Sequence, residues 1–263
     1  KQAAAAVGQG VLMHIYEKFF AEYSQTVAQV LLTRADLVDR HRYLNARNAL
    51  NTLLGMGVIP IVNENDTVAT EGLKFGDNDT LSAMVAGLVD AEALIILSDI
   101  DGLYTANPRE DPRAVLLPVV EEITPEIESS AGGRGSTLAQ GGMVTKIQAA
   151  RIAASSGIFM LVANSEEPQA VRRILEGEPL GTLFLPAGRK LDARHRWIAY
   201  GSPVQGDLLV DQGAVEALTN RGKSLLPSGV IGVEGTFEAG YVVRVLAPDR
   251  QEIARGITNY SSG

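Results

Sequence analysis

The chain has no cysteine among its 263 residues. Disulfides and thiolate metal sites are therefore excluded, and a reducing compartment is compatible with the composition. No apolar run approaches the roughly 18 residues that suggest a membrane span. The opening KQAAAAVGQG mixes alanine with polar side chains and lacks the charged n-region and apolar h-region of a signal peptide. Basic charge is short: 23 Lys and Arg stand against 31 Asp and Glu, a formal net charge of −8. A general nucleic-acid or anionic-membrane binder needs a basic surface, so the balance argues against both classes. Repeats and low-complexity segments are absent too. The expectation is a soluble cytoplasmic protein with no membrane partner. Its 46% apolar content can supply a sizeable core, and its length suits two domains.

Two periods alternate through the first part. Val27 to Leu32, Val58 to Val62 (demoted slightly by Pro60), Leu94 to Leu97 and Ile158 to Val162 read as strands. Leu44 to Met56 is helical in character and ends at Gly55 and Gly57. Leu81, Met84, Val85 and Leu88 make one face of a helix over Asp79 to Val89, and Met143, Ile147, Ala150 and Ala154 line another. Such alternation predicts βαβ units, an α/β fold with a mainly parallel sheet and helices on both faces, with ligands at the carboxyl ends of the strands. Near residue 186 the pattern changes. A linker over 187–203 leads to short glycine-punctuated segments at Asp207 to Val210, Val230 to Val233, Tyr241 to Leu246 and Glu252 to Ile257. These predict a small β-rich domain over 204–263, with one helix around Ala214 to Thr219, after a first domain over 1–186.

Three stretches carry chemistry. NENDTVATEGLKFGDND, Asn63 to Asp79, follows a strand candidate and holds two polar clusters. Helix capping explains one Asp or Asn. A binding loop explains both clusters, since Asn side chains and helix N–H groups hold a carboxylate and an Asp holds an ammonium. Asp99 and Asp101 close the strand Leu94 to Leu97. They suit either orientation of a lysine, nucleotide or Mg²⁺, or an ordinary Asp-Gly turn. Gly141-Gly142-Met143-Val144-Thr145-Lys146 opens a helix, where N–H groups and dipole favour a phosphate and Lys146 is a mobile cation within one turn. The GxxxxGK[ST] spacing of a Walker A loop is absent, and a loop followed by a solvated lysine is the plainer alternative.

The ordered series NENDTVAT, GDND, SDIDGLYTANPR, GGMVTK and EGEPLGTLF, together with KQAAAAVGQG, LLTRADLVDRHRYLNARN and RHRWIAYG leading into SLLPSGV, resembles the glutamate 5-kinase branch of the amino-acid kinase family over essentially the whole chain. The resemblance implies a three-layer sandwich around a mainly parallel sheet, followed by a PUA-like domain. It implies transfer of the ATP γ-phosphate to the side-chain carboxylate of L-glutamate, the first step of proline synthesis, with Mg²⁺. Carried over by position, Asp66 and Asn78 bind glutamate. Ser98 and Asp99 contact the nucleotide, where a Thr-Asp pair is more usual. Gly141, Gly142, Met143, Val144, Thr145 and Lys146 hold nucleotide and phosphate, with Lys146 the cation near the transferring group and Asp79 organising the site. The family's first strand, with its glycine-rich loop and lysine, is not found in the sequence from Lys1 onward. The C-terminal segment ends within the span expected of the PUA-like domain. The resemblance also implies homo-oligomers and feedback inhibition by proline.

Other classes are weaker. Another acceptor, such as acetylglutamate, aspartate, carbamate or UMP, fits the NEND and GDND pair less well. PUA domains can contact RNA, but 204–263 carries five basic and seven acidic residues, a net −2, where an RNA surface should be locally basic. A catalytically dead regulatory subunit is the third class.

Overall fold

A computed structural model describes residues 2–69, 77–108, 110–130, 142–187, 195, 198–199 and 204–263. Two compact units are present, Lys1–Arg196 and Trp197–Gly263.

The first unit opens with helix α1 (Gln2–Ala21), which the mixed composition of Lys1 to Gly10 does not announce. The helix-favouring alanines outweigh Gly8 and Gly10, each of which costs about 1 kcal/mol. Strand β1 (Val27–Leu32) pairs in parallel with β2 (Ile59–Glu64), Val27 facing Ile59 and Leu32 facing Glu64. Helices α2 (Arg34–Val38) and α3 (Arg40–Gly55) make the crossover between them. Pro60 is tolerated because β2 has β1 as its one neighbour among the described residues, so some of its N–H positions lie outside the ladder.

A second sheet has the order β3 (Ala93–Ser98), β5 (Phe159–Asn164), β6 (Thr182–Phe184), β4 (Val119–Val120). Pairings β3–β5 and β4–β6 are parallel. The β5–β6 pair is antiparallel, a local exception to the expected parallel arrangement. Its cause is short: helix α7 (Ala170–Leu175) has six residues and spans about 9 Å, less than half a six-residue strand. The chain therefore re-enters the sheet from the end it left. The two- and three-residue strands β4 and β6 offer too few positions for a period to be read.

Helices α4 (Asn78–Leu88) and α6 (Met143–Ser155) pack on each other and on one face of β3–β5. Ala83, Ala86, Ala149, Ala150 and Ala153 fill this core with Ile96, Ile147, Met160, Val162 and Phe184. Of the predicted face of α4, Leu81 and Leu88 are buried, whereas Met84 and Val85 are only partly so and Ala83 and Ala86 are buried in their place. Small side chains admit a close helix-helix approach, so the tightest contacts fall on alanine. A six-residue helix, α5 (Pro125–Ser130), precedes α6. On the opposite face of the sheet, Leu97 and Phe159 are 43% and 46% exposed.

Among the described residues of the first unit, two glycines are required by close approach. Gly181 has φ +74°, and a Cβ there would lie 2.0 Å from the Val162 carbonyl oxygen. Gly102 has φ +154°, and its Cβ would lie 2.5 Å from Thr182 Oγ1. That hydroxyl accepts from Leu103 N at 2.8 Å and donates to Leu117 O at 2.7 Å.

The second unit holds β7 (Asp207–Val210), α8 (Gln212–Thr219), β8 (Val230–Glu234), β9 (Val242–Leu246) and β10 (Glu252–Ile257), close to the predicted segments. The sheet order is β10, β9, β7, β8, with β7 and β9 parallel and the other pairs antiparallel. Val210, Phe237, Val242, Val243 and Val245 are buried. Arg244 clasps Asp207 with two hydrogen bonds of 2.7 and 2.6 Å. Of the expected linker 187–203, only 187, 195, 198 and 199 are described. Its Arg189, Lys190, Arg194, Arg196 and Trp197 lie outside the described residues.

Candidate active site

Helices α4 and α6 each lead into the strand that follows, so both N-termini sit at the carboxyl ends of β3 and β5. There the first unit gathers its polar residues.

Asp77 is the N-cap of α4. It accepts from Thr80 N at 2.6 Å and from the Thr80 hydroxyl at 3.1 Å. Capping thus accounts for Asp77 and leaves Asn78 and Asp79 in the first turn. Asp79 reaches across to α6. Its Oδ2 lies 3.1 Å from Lys146 Nζ and 2.7 Å from the Thr145 hydroxyl. That hydroxyl is also 2.8 Å from Gly142 O, and its single proton serves one acceptor at a time. Lys146 is 6% exposed. It is a buried, ion-paired cation, neither the mobile one expected nor a solvated one. The reason is tertiary: the close α4–α6 contact places it beneath the helix ends, and a buried ammonium persists when paired and hydrogen-bonded.

The N-cap of α6, Gly142, supplies no side-chain cap, and among the described residues a Cβ on it would meet nothing within 4 Å. The first N–H groups of α6 lie at the positive end of the helix dipole. Met143 packs against the core, whereas Val144 is 38% exposed. Gly141 lies outside the described residues, as does the 70–76 part of the NEND-to-GDND stretch.

Asp66 lies in the turn after β2, half-buried, and Asn78 is exposed at the start of α4. Asn65 N donates to Leu32 O at 2.8 Å, tying this turn to the end of β1. Ser98 donates to Asp99 at 3.1 Å at the end of β3. Asp101 takes a different course from orienting a lysine. It accepts from Asn164 Nδ2 at 2.8 Å and from the Tyr104 hydroxyl at 2.9 Å. The Asn164 amide first, and Tyr104 second, hold the Asp101 carboxyl below its usual range, while the same bond raises Tyr104. Asn164 was open to detection as a polar residue closing a strand at the ligand edge. Among the described residues, no three His, Asp or Glu side chains group to hold a metal ion, and no helix is long and apolar enough to cross a membrane.

The first unit is an α/β protein with a buried, ion-paired lysine in the first turn of a helix at the strand ends. The amino acid kinase family model matches residues 1–164 and the PUA domain model residues 206–263. The chain belongs to the amino acid kinase family. It is 59% identical over 260 residues to the glutamate 5-kinase of Moorella thermoacetica, covering 99% of this chain and 69% of that one. It is 56% identical to that of Carboxydothermus hydrogenoformans, covering 100% and 70%. It is also 56% identical to that of Gloeobacter violaceus, covering 100% and 71%. The branch in which it falls is the glutamate 5-kinases, and the expected fold class and resemblance both stand.

Proposed function

We propose that this chain transfers the γ-phosphoryl group of ATP to the side-chain carboxylate of L-glutamate, giving ADP and L-glutamyl 5-phosphate, the first step of proline biosynthesis. The observation that carries the reading is the buried Lys146–Asp79 pair at the glycine-led start of α6. The similarity to glutamate 5-kinases supports the choice of acceptor.

The chemistry asks little of a base. A carboxylate is ionised near pH 7 and is already a nucleophile. Catalysis then rests on alignment with the γ-phosphorus and on stabilising charge spread over its oxygens. In this reading the N–H groups after Gly142 and the Lys146 ammonium face that charge, and Asp79 and Thr145 hold the ammonium in place. Asp66 and Asn78 bind glutamate, and Ser98 and Asp99 contact the nucleotide. Mg²⁺ would be carried on the ATP phosphates and water, where it would supply neutralisation of phosphate charge.

The domain assignment remains a kinase domain over 1–186, a linker over 187–203 and a PUA-like domain over 204–263. A cytoplasmic homo-oligomer inhibited by proline completes the reading. ADP release with the acceptor trapped as its hydroxamate tests it. Glutamate should be the preferred acceptor over aspartate, acetylglutamate, carbamate and UMP. Preference for any of the others refutes the assignment.

A further inference from the structure

The turn after β3 is held at three points. Before it, Ser98 O accepts from Ser165 N at 2.7 Å, joining the ends of β3 and β5. After it, Gly102 is buried with φ +154° and Leu103 N is fixed to Thr182 Oγ1, with Leu103 1% exposed. Only Asp99, Ile100 and Asp101 lie between these anchors. Asp101 is the third point, bonded to Asn164 on β5 and to Tyr104 farther along its own segment. Asn164 is itself oriented, because its Oδ1 accepts from Glu166 N at 2.9 Å. Both ends of its amide are thus committed, and the side chain cannot turn over without losing both bonds.

We infer that Asn164 and Asp101 form a clamp that positions the Ser98–Asp99 pair for the nucleotide, making both of them positioning residues for ATP rather than for glutamate. The inference rests on the reading of Ser98 and Asp99 as nucleotide contacts. The clamp bridges the ends of β3 and β5, two residues along the chain from Asp99, whereas Asp66 and Asn78 belong to other segments, the turn after β2 and the start of α4. The carboxylate is kept ionised by its two donors, so the clamp stays closed at neutral pH. An unclamped turn samples several conformations, and binding selects the competent one at a cost in apparent affinity.

The test is steady-state kinetics on four variants of the intact enzyme, with melting temperatures alongside. Asn164→Ala and Tyr104→Phe each remove one bond to Asp101. Asn164→Ala should raise KM for ATP about fivefold to tenfold, the net worth of one solvent-exposed hydrogen bond. Tyr104→Phe should raise it by less, and both should leave kcat and KM for glutamate within about twofold. The exchanged pair Asp101→Asn with Asn164→Asp re-forms the amide–carboxylate bond with its polarity reversed, and should recover most of the ATP affinity. Asp99→Ala separates this inference from the reading beneath it. If Asp99→Ala raises KM for ATP but Asn164→Ala and Tyr104→Phe do not, the clamp is refuted alone. If Asp99→Ala has no effect, the nucleotide assignment falls, and the clamp with it. Parallel rises in KM for both substrates, or a lowered melting temperature that tracks the kinetic loss, would assign the clamp to folding instead. Should the exchanged pair fail to fold, the two single variants decide.

Discussion

Removing the Asp79 side chain leaves the Lys146 ammonium buried without its carboxylate. The lysine side chain is 7% exposed and the Asp79 side chain 18%. Breaking such a buried pair from one side costs about 3–5 kcal/mol, and the partial exposure of Asp79 favours the lower end. For Asp79→Ala we expect about 3 kcal/mol. In a unit of this size, each kcal/mol lowers the melting temperature by roughly 2–4 °C, so the fall should be roughly 6–12 °C. Lys146→Met is different. It replaces the cation with an apolar chain of similar length and leaves a carboxylate that can reach solvent and still accept from Thr145. Its stability loss should be smaller, yet kcat should fall at least about tenfold, equivalent to about 1.4 kcal/mol of transition-state stabilisation. The double variant should melt above Asp79→Ala, because the unpaired charge is gone. Differential scanning calorimetry and a coupled ADP-release assay on the three variants check this. Additive stability effects, or an unchanged Asp79→Ala melting temperature, would refute the reasoning that Lys146 is buried and held by Asp79. Wild-type kcat in Lys146→Met would remove the lysine from the phosphoryl-transfer step.

Three further outcomes are expected. Asp66→Ala and Asn78→Ala should each raise KM for glutamate about thirtyfold, about 2 kcal/mol, with far less change for ATP; equal shifts would take them out of the glutamate site. Gly181→Ala should destabilise the first unit by about 2 kcal/mol, since the position combines positive φ with a Cβ 2.0 Å from Val162 O, and an unchanged thermal melt would contradict the close approach. Asp207 is held below its usual carboxyl range first by the Arg244 hydrogen bonds. Its folded value thus lies under the unfolded one, so its contribution is present above about pH 4 and is lost as pH falls through the folded value. Asp207→Asn should flatten the acid limb of the stability curve, measured by denaturant melts across pH, and an unaltered limb would show that the pair contributes nothing.

Local pattern and tertiary arrangement divided the information unevenly. Aliphatic runs bounded by glycine or polar residues announced β1, β3, β5 and the four strands of the second unit, because period and composition are properties of neighbouring residues. The polar clusters at strand ends marked the ligand edge for the same reason. Helix α1 escaped because none of its residues is fully buried among the described residues, and burial is what imposes a readable face. The antiparallel β6 depended on how far a six-residue helix carries the chain. The burial of Lys146 depended on Asp79, 67 residues away, and the Asp101–Asn164 bond joins positions 63 apart. No window of sequence contains both members of either pair. The residue types at the site are set in the sequence alone, but which of them neutralise, orient or bury one another is decided only when α4 and α6 close on alanine and bring the ends of β3 and β5 together.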